Sequence, residues 1–469
     1  MGVTGIWDHM QKYAEMIDVA QLKNTVLAID GHIWLFESTK GCQTYGVTTS
    51  STFLVTFYNR CRRLREHGIE PIIVFDNISY ASPNQSQVLV DNIRRKRSKR
   101  FGGGGWTLEN CAHITEKITK IQALLEAMGV PCIFAGSEGE AQCAQLEKVG
   151  IVNGCATSDF DYFLFGGLNL YKIEFSNGGR SINPNVTHYS MHVFEKTLSL
   201  NRNRLITLAM LLGCDYLEGG VGGVGIVTAL EILSEFTIHE DDHIISILDR
   251  FSSYCKQELP LRESDSPVKV KFRSNKFKIP YGFPNTEEYC EAASIYLLPC
   301  VIDYQRSSIP LPRDLNFKIV ANLLLKECNW SASKFDKEIS RSQRLELSIR
   351  KSLMQSRVTE YFVSSKRRGS SKIEETYVEE ERPKCSQREY AALESLRKRA
   401  SLYDVISELP KPLPKRIGGP IEASASPAKR SSPIIVSDTT PTTSTQQQNL
   451  QACEDGETFS AGASVILIQ

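Results

Sequence analysis

The sequence predicts an α/β fold with a mostly parallel sheet flanked by helices, and three observations carry that expectation. Apolar β-branched runs (TVLAID, PIIVFD) stop at an acid, as buried parallel strands do where their C-terminal ends face a ligand crevice. Amphipathic stretches separate these runs in a βαβ rhythm. A glycine-rich turn then interrupts a mostly helical region from about 203 to 260.

Taken in order, TVLAID reads as a strand, SSTFLVTFYNRCRRLREHG as an amphipathic helix and PIIVFD as the next strand. HITEKITKIQALLEAMGV (113–130) is helical, PCIFAG a strand, EAQCAQLEKVG a helix and GCATSD a strand. Residues 313–354 also read as helices. Past about 365 the composition shifts, and 408–450 is rich in Pro, Ser, Thr and Gln. Such a stretch cannot bury enough apolar surface to offset its ordering entropy. The expected organisation is a first part of the core over 1–95, a basic segment over 86–112 and the rest of the core over 113–260. A helical extension over 261–365 and a largely disordered tail over 366–469 complete it. Within that tail REYAALESLRKRA has helical character. No internal repeat is visible.

Seven acids stand where they could surround one phosphodiester. Asp30 and Asp76 close the two strands, Glu138 and Glu140 lie in AGSEGEAQCA, Asp159 and Asp161 in TSDFDYFLFG, and Asp215 in LLGCDYLEGGVGGVG. Singly, each has an ordinary reading. Asp30 and Asp76 suit N-caps, Glu138 and Glu140 suit the first turn of a helix, and Asp215 suits a turn. Asp159 and Asp161, two apart, point to one side of an extended segment, a costly arrangement without a cation or shared proton. Five separate acidic segments together favour convergence. Two magnesium ions about 3.5–4 Å apart, held by carboxylate oxygens, are the usual answer for phosphoryl chemistry.

Length and composition bound the partners. The 469 residues suffice for two ordinary domains, or one large domain with a tail. A net charge of +1 means that nucleic-acid affinity must come from local patches. Thirteen cysteines form no CxxC pair. MGVTGIWDHM lacks a charged region followed by an apolar stretch, so no secretory leader is expected. Ile6 stands where myristoylation of Gly2 needs Ser or Thr. No apolar run approaches a membrane span, so a soluble, reduced, intracellular chain is expected.

Two segments suit nucleic acid. Arg94, Arg95, Lys96, Arg97, Lys99 and Arg100 place six charges in seven positions between two acidic strand ends, enough for a steep salt dependence. A nuclear-localisation cluster or a solvated loop would look the same. Gly219 to Gly225 precede the helical IVTALEIL, and glycines before a helix let N–H groups approach a phosphate. A tight connection is the plainer reading of that turn.

With these residues in view, the chain resembles the XPG/flap endonuclease superfamily of structure-specific 5′ nucleases, most of all the Gen-type Holliday junction resolvases. MGVTGIWDHM, LAIDGHIWL, IVFDN, SEGEAQCAQLEKVG with CATSDFDYFLFG, LLGCDYLEGGVGGVGIVTAL, FPNTEEY and NLLLKECNW carry the likeness, which covers about 1–365. It implies a PIN-like nuclease core with a helical arch and a helix–two-turn–helix element at about 203–235. It also implies that Asp30, Asp76, Glu138, Glu140, Asp159, Asp161 and Asp215 hold two Mg2+ ions, with Mn2+ able to substitute. Lys96 and Arg100 would contact the scissile phosphate or the strand threading past it. Gly223 and Gly225 would present N–H groups to the uncleaved strand, around a monovalent cation. Asp76 stands where some members carry Glu, and Ile226 where many carry Lys after the glycines, which puts one phosphate contact in doubt.

The implied activity is Mg2+-dependent hydrolysis of branched DNA in the nucleus, for recombination and repair. The short stretch from Asp76 to Glu138 argues against the excision-repair branch and suits an open arch, hence a Holliday junction resolvase making paired nicks. Such an enzyme works as a homodimer on junctions and is expected to be monomeric when free. A 5′ flap endonuclease is the alternative. A non-catalytic scaffold, a third reading, would usually have lost a carboxylate. In the tail, Gln355, Val358, Tyr361 and Phe362 resemble a sliding-clamp peptide, or pack the last helix onto the core. Pro433 to Asp438 could add a strand to a SUMO-type sheet edge, and Lys366–Arg367–Arg368 and Arg397–Lys398–Arg399 fit nuclear-import runs.

Overall fold

The computed structural model describes residues 2–45, 51–77, 108–175, 184–217, 219–239, 242–274, 277–309, 316–328, 330–338, 340, 343–344 and 385–408. All belong to one unit, Met1–Pro410; Lys411–Gln469 lies outside the described residues.

The chain opens with helix α1 (Ile6–Met10) and strand β1 (Glu15–Ile17), then enters the sheet at β2 (Val26–Asp30). Helices α2 (Gly31–Tyr45) and α3 (Thr52–Glu66) cross back to β3 (Glu70–Phe75). Helix α4 (Leu108–Ala127) leads to β4 (Cys132–Phe134), and α5 (Gly139–Lys148) to β5 (Cys155–Ala156). The short α6 (Asp161–Leu164) precedes β6 (Asn169–Glu174) and β7 (Asn185–Ser190). The seven strands lie in the order β1-β7-β6-β5-β2-β3-β4. Strands β2 to β6 pair in parallel, while β7 runs antiparallel between β6 and β1. The mostly parallel sheet expected from the sequence is therefore present.

This strand order fixes where a ligand can sit. From β2 the chain moves outward through β3 to β4, then returns to the other side of β2 at β5. Such a reversal leaves a crevice at the C-terminal ends of the strands. Alternation along β2 divides the core: Ala28 packs into one apolar cluster with Val74 and Cys155, and Leu27 and Ile29 into another with Ile73 and Phe75. Both faces are covered, which is why these strands read as continuous apolar runs.

Beyond the sheet the chain is helical: α7 (Met191–Leu198), α8 (Arg202–Leu212), α9 (Ile226–Phe236), α10 (Ile244–Cys255), α11 (Pro267–Ser274), α12 (Glu287–Leu297) and α13 (Phe317–Cys328). Asn201 caps α8 by accepting from the Arg204 N–H.

The last described helix, α14 (Gln387–Glu408), contains REYAALESLRKRA, the stretch of helical character within the expected tail. Its Ala392, Leu393 and Leu396 are buried in the main core, each leucine contributing about 1.5–3 kcal/mol. Within the run Arg397–Lys398–Arg399, Arg397 donates to Thr197 O, and Arg399 donates to Thr237 O at 3.2 Å and pairs with Glu235 at 3.4 Å. Those two cations contact the core. Gln355, Val358, Tyr361, Phe362, 366–368 and 433–438 lie outside the described residues.

Candidate metal centre and duplex-binding turn

The parallel strands deliver their acids to one edge. Asp30 is the last residue of β2 and Asp76 follows β3. Glu138 is the N-cap of α5 and Glu140 lies in its first turn, so the helix dipole favours their charge as the plainer reading required. Asp159 follows β5, Asp161 opens α6, and Asp215 lies in the connection after α8. Asp30, Asp76, Glu138, Glu140, Asp159 and Asp161 are buried, and Asp215 is partly buried.

Oxygens of Asp159, Asp161 and Asp215 all lie within 4.8 Å of one another. Three carboxylates that close, two of them fully buried, repel strongly unless a cation joins them. All are hard oxygen donors, the set that suits Mg2+, Mn2+ or Ca2+. The donor chemistry and spacing therefore fit a divalent ion. Asp30 is linked to this group through Thr157, whose hydroxyl donates to Asp30 Oδ2 at 3.2 Å and accepts from the Asp159 N–H at 3.1 Å. The Ile33 N–H donates to the other Asp30 oxygen at 3.0 Å.

Asp76 joins the same edge from the far side. Its Oδ1 accepts from the Gly139 N–H at 2.8 Å, between Glu138 and Glu140. A Cβ on Gly139 would lie 2.7 Å from that oxygen, so only glycine allows the approach. The Asp76 N–H donates to His32 Nδ1 at 3.0 Å. That nitrogen is therefore unprotonated, and its 3.5 Å approach to Asp76 Oδ2 is no ion pair. Convergence also registers on the fully buried Cys143 thiol. Burial raises its pKa, a Cys155 hydrogen bond opposes this, and the charges of Asp30, Glu140 and Asp76 raise it further.

Two contacts at the centre had no sequence signal. Tyr296, on α12, donates its hydroxyl to Asp161 Oδ2 at 2.9 Å across 135 positions of chain. Burial, then the Asp161 charge, push the Tyr296 pKa well above its ordinary value, so the proton stays on the phenol. Gly2 has φ +88°, and a Cβ there would lie 2.2 Å from Asp161 Oδ1 and 2.5 Å from Asp159 Oδ1. The beginning of the chain thus lies against the acids.

The glycine turn continues from Asp215. Gly213 has φ +94°, and the Val221 N–H donates to Leu211 O at 2.9 Å, folding the turn back on the end of α8. A Cβ on Gly220 would lie 2.1 Å from Leu211 O. Gly222 and Lys278 exchange backbone hydrogen bonds of 3.2 and 2.8 Å. Gly223 and Gly225 are exposed, Gly225 is the N-cap of α9, and a Cβ on Gly225 would meet nothing within 4 Å. Arg94, Arg95, Lys96, Arg97, Lys99 and Arg100 lie outside the described residues.

Comparison with known proteins gives this architecture its relatives. The XPG N-terminal domain matches residues 1–100 and the XPG I-region matches 129–215, spans that contain all seven acids. The chain thus carries both of the regions by which the XPG nucleases are described. It is 28% identical over 273 residues to the mouse protein named flap endonuclease GEN homolog 1, covering 58% of this chain and 28% of that one. It is 30% identical over 270 residues to flap endonuclease GEN-like 1 of Arabidopsis thaliana, covering 55% and 43%. The chain thus spans well under two thirds of the length of these relatives. Among solved structures, the catalytic core of Rad2 in complex with DNA substrate superposes with a TM-score of 0.58 at 26% identity, covering 73% of this chain and 100% of that one. The matches to the two XPG regions, the sheet and its helices agree with the sequence reading.

Proposed function

We propose that this chain is a structure-specific endonuclease that hydrolyses a phosphodiester of branched DNA with divalent ions, Mg2+ first among them. The observation that carries it is the Asp159–Asp161–Asp215 group, with oxygens within 4.8 Å, at the crevice of a parallel sheet, with Asp215 on the same connection as the exposed glycine turn. The names of the relatives and the DNA bound to the Rad2 core support it.

Asp159, Asp161 and Asp215 would hold one ion directly, with Asp30, Asp76, Glu138 and Glu140 completing a two-ion site. Bound there, such ions supply Lewis acidity toward the phosphoryl oxygens and ease the ionisation of water. The protein's own part is orientation. The Tyr296 hydroxyl fixes Asp161, the Gly139 N–H fixes Asp76, and Thr157 with the Ile33 N–H fixes Asp30. Gly223 and Gly225 would offer N–H groups to a backbone phosphate, which positions duplex without reading sequence. The basic residues Arg94 to Arg100 would draw the anionic strand over the crevice. A monovalent cation at the glycine turn belongs to the same proposal, as do a nuclear location and roles in recombination and repair.

Within this class we favour Holliday junction resolution by two protomers, each nicking one strand, because the short stretch from Asp76 to Glu138 suits an open arch. Cutting of 5′ flaps is the second reading, which the relatives' names favour. A panel of intact four-way junction, 5′ flap, fork and plain duplex separates them. Paired symmetric nicks in the junction support the first reading. Cleavage of the flap alone supports the second, and cleavage of none of these substrates overturns the nuclease assignment.

A further inference from the structure

Helix α14 lies outside both matched family regions, and its first turn does two things with one carboxylate. Ser386 Oγ accepts from the Glu389 N–H at 3.2 Å, and Glu389 Oε2 accepts from the Ser386 N–H at 3.4 Å. This reciprocal pair is a capping box. The other oxygen, Glu389 Oε1, lies 3.0 Å from His9 Nδ1 and 3.3 Å from Lys12 Nζ. One buried side chain therefore both starts α14 and fastens it to α1 and the turn that follows.

The helix held in this way, with the residues just before it, packs beside the segments that carry the three acids. Trp7 packs edge-on against Phe160, with ring centroids 5.3 Å apart and planes at 86°. Phe160 stands between Asp159 and Asp161. The Thr4 N–H donates to Gly213 O at 3.1 Å, two residues before Asp215. Gly2 abuts Asp159 and Asp161 themselves. Meanwhile α14 grips the far flank of the Asp215 connection: Arg388 makes a bidentate pair with Glu231 of α9 at 2.8 and 2.6 Å.

We infer that Glu389 is a positioning residue for the metal centre. It touches none of the seven acids, but it anchors α1, which sets the spacing of Asp159 and Asp161 against Asp215. The inference rests on the proposed metal-dependent reading of that centre. Carboxylate groups a few ångströms apart bind an ion only in one arrangement, so a small displacement of α1 weakens the ion before it disturbs the fold.

The test uses the full chain with Glu389→Ala, Glu389→Gln and Arg399→Ala, the last releasing α14 from the end of α9 but not from α1. Calorimetric titration with Mn2+ in the absence of DNA gives the metal affinity, and single-turnover cleavage of a branched duplex at varied Mn2+ follows it. Glu389→Ala is expected to bind Mn2+ about tenfold more weakly, the scale seen when a residue supporting a metal ligand is removed. Its cleavage recovers at high Mn2+. Glu389→Gln keeps an amide oxygen for the cap and should lose about threefold by the same reasoning, while Arg399→Ala stays at the wild-type value. Thermal unfolding verifies that each variant is folded, and if Glu389→Ala is not, Glu389→Gln carries the test. An unchanged Mn2+ affinity in the folded Glu389 variants would overturn the inference. So would an equal loss in Arg399→Ala, which would reduce α14 to a general brace. Failure of the wild-type chain to bind Mn2+ would instead sink the nuclease reading itself.

Discussion

The acid crevice and the glycine turn meet on the connection that carries Asp215, yet they are built in opposite ways. The crevice gathers buried carboxylates from separate segments, each brought in by a different strand or helix, and its N–H and hydroxyl donors are engaged in holding those acids. The turn is one contiguous stretch that folds on its own backbone and leaves Gly223 and Gly225 exposed. On the proposed function, reactivity depends on convergence of distant segments, and grip on a local backbone shape. Substitutions should accordingly damage the two regions differently.

Outside the seven acids themselves, the largest effect is expected at Gly2. Alanine there must adopt φ +88° and would press a methyl group onto Asp161 and Asp159. Displacing ligand oxygens by even a fraction of an ångström should slow single-turnover cleavage about a hundredfold. Duplex affinity, measured by fluorescence anisotropy in Ca2+, should stay at the wild-type value. An equal loss of both would erase the distinction between the regions.

Next, the turn itself divides into a packed side and an open side. Gly220→Ala collides with Leu211 O and should cost about 2 kcal/mol of stability, the usual toll of overpacking. Gly225→Ala has free space and should unfold like the wild type, any deficit appearing only in duplex binding. Paired denaturant titrations decide this, and equal midpoints for Gly220→Ala and Gly225→Ala would break the account of the turn.

A smaller effect is expected at Tyr296. Phenylalanine removes the donor to Asp161 Oδ2 but keeps the packing against Tyr216 and Phe165. A hydrogen bond to a charged group contributes about 1.5–3 kcal/mol, so cleavage should fall about tenfold, with a raised Mn2+ requirement. A variant as active as the wild type at every Mn2+ concentration would remove Tyr296 from the site.

How much of this was legible follows from the same contrast. Asp30 and Asp76 could be read because a buried parallel strand ends visibly, with an apolar run stopping at an acid. Asp159 and Asp161 stood out because like charges two apart demand an explanation. The glycine turn announced itself by composition. Gly2 and Tyr296 were not legible, since their roles come from packing between segments distant in sequence. Neither spacing nor periodicity records such contacts. Helix α14 is legible only as the helical character of REYAALESLRKRA, because its few buried residues, Ala392, Leu393 and Leu396, gain their meaning only against α9. The carboxylate that secures it, Glu389, is one of 54 acidic residues until His9 is placed beside it.

The most direct test of the metal-dependent centre is cleavage of an end-labelled branched duplex while Mg2+ is titrated from a chelated solution, with Asp159→Asn run alongside. The wild type should be silent under chelation, gain activity with Mg2+ and lose nearly all of it in Asp159→Asn. Equal cleavage in the presence of chelator, or an Asp159→Asn variant that cuts at the wild-type rate, would contradict it.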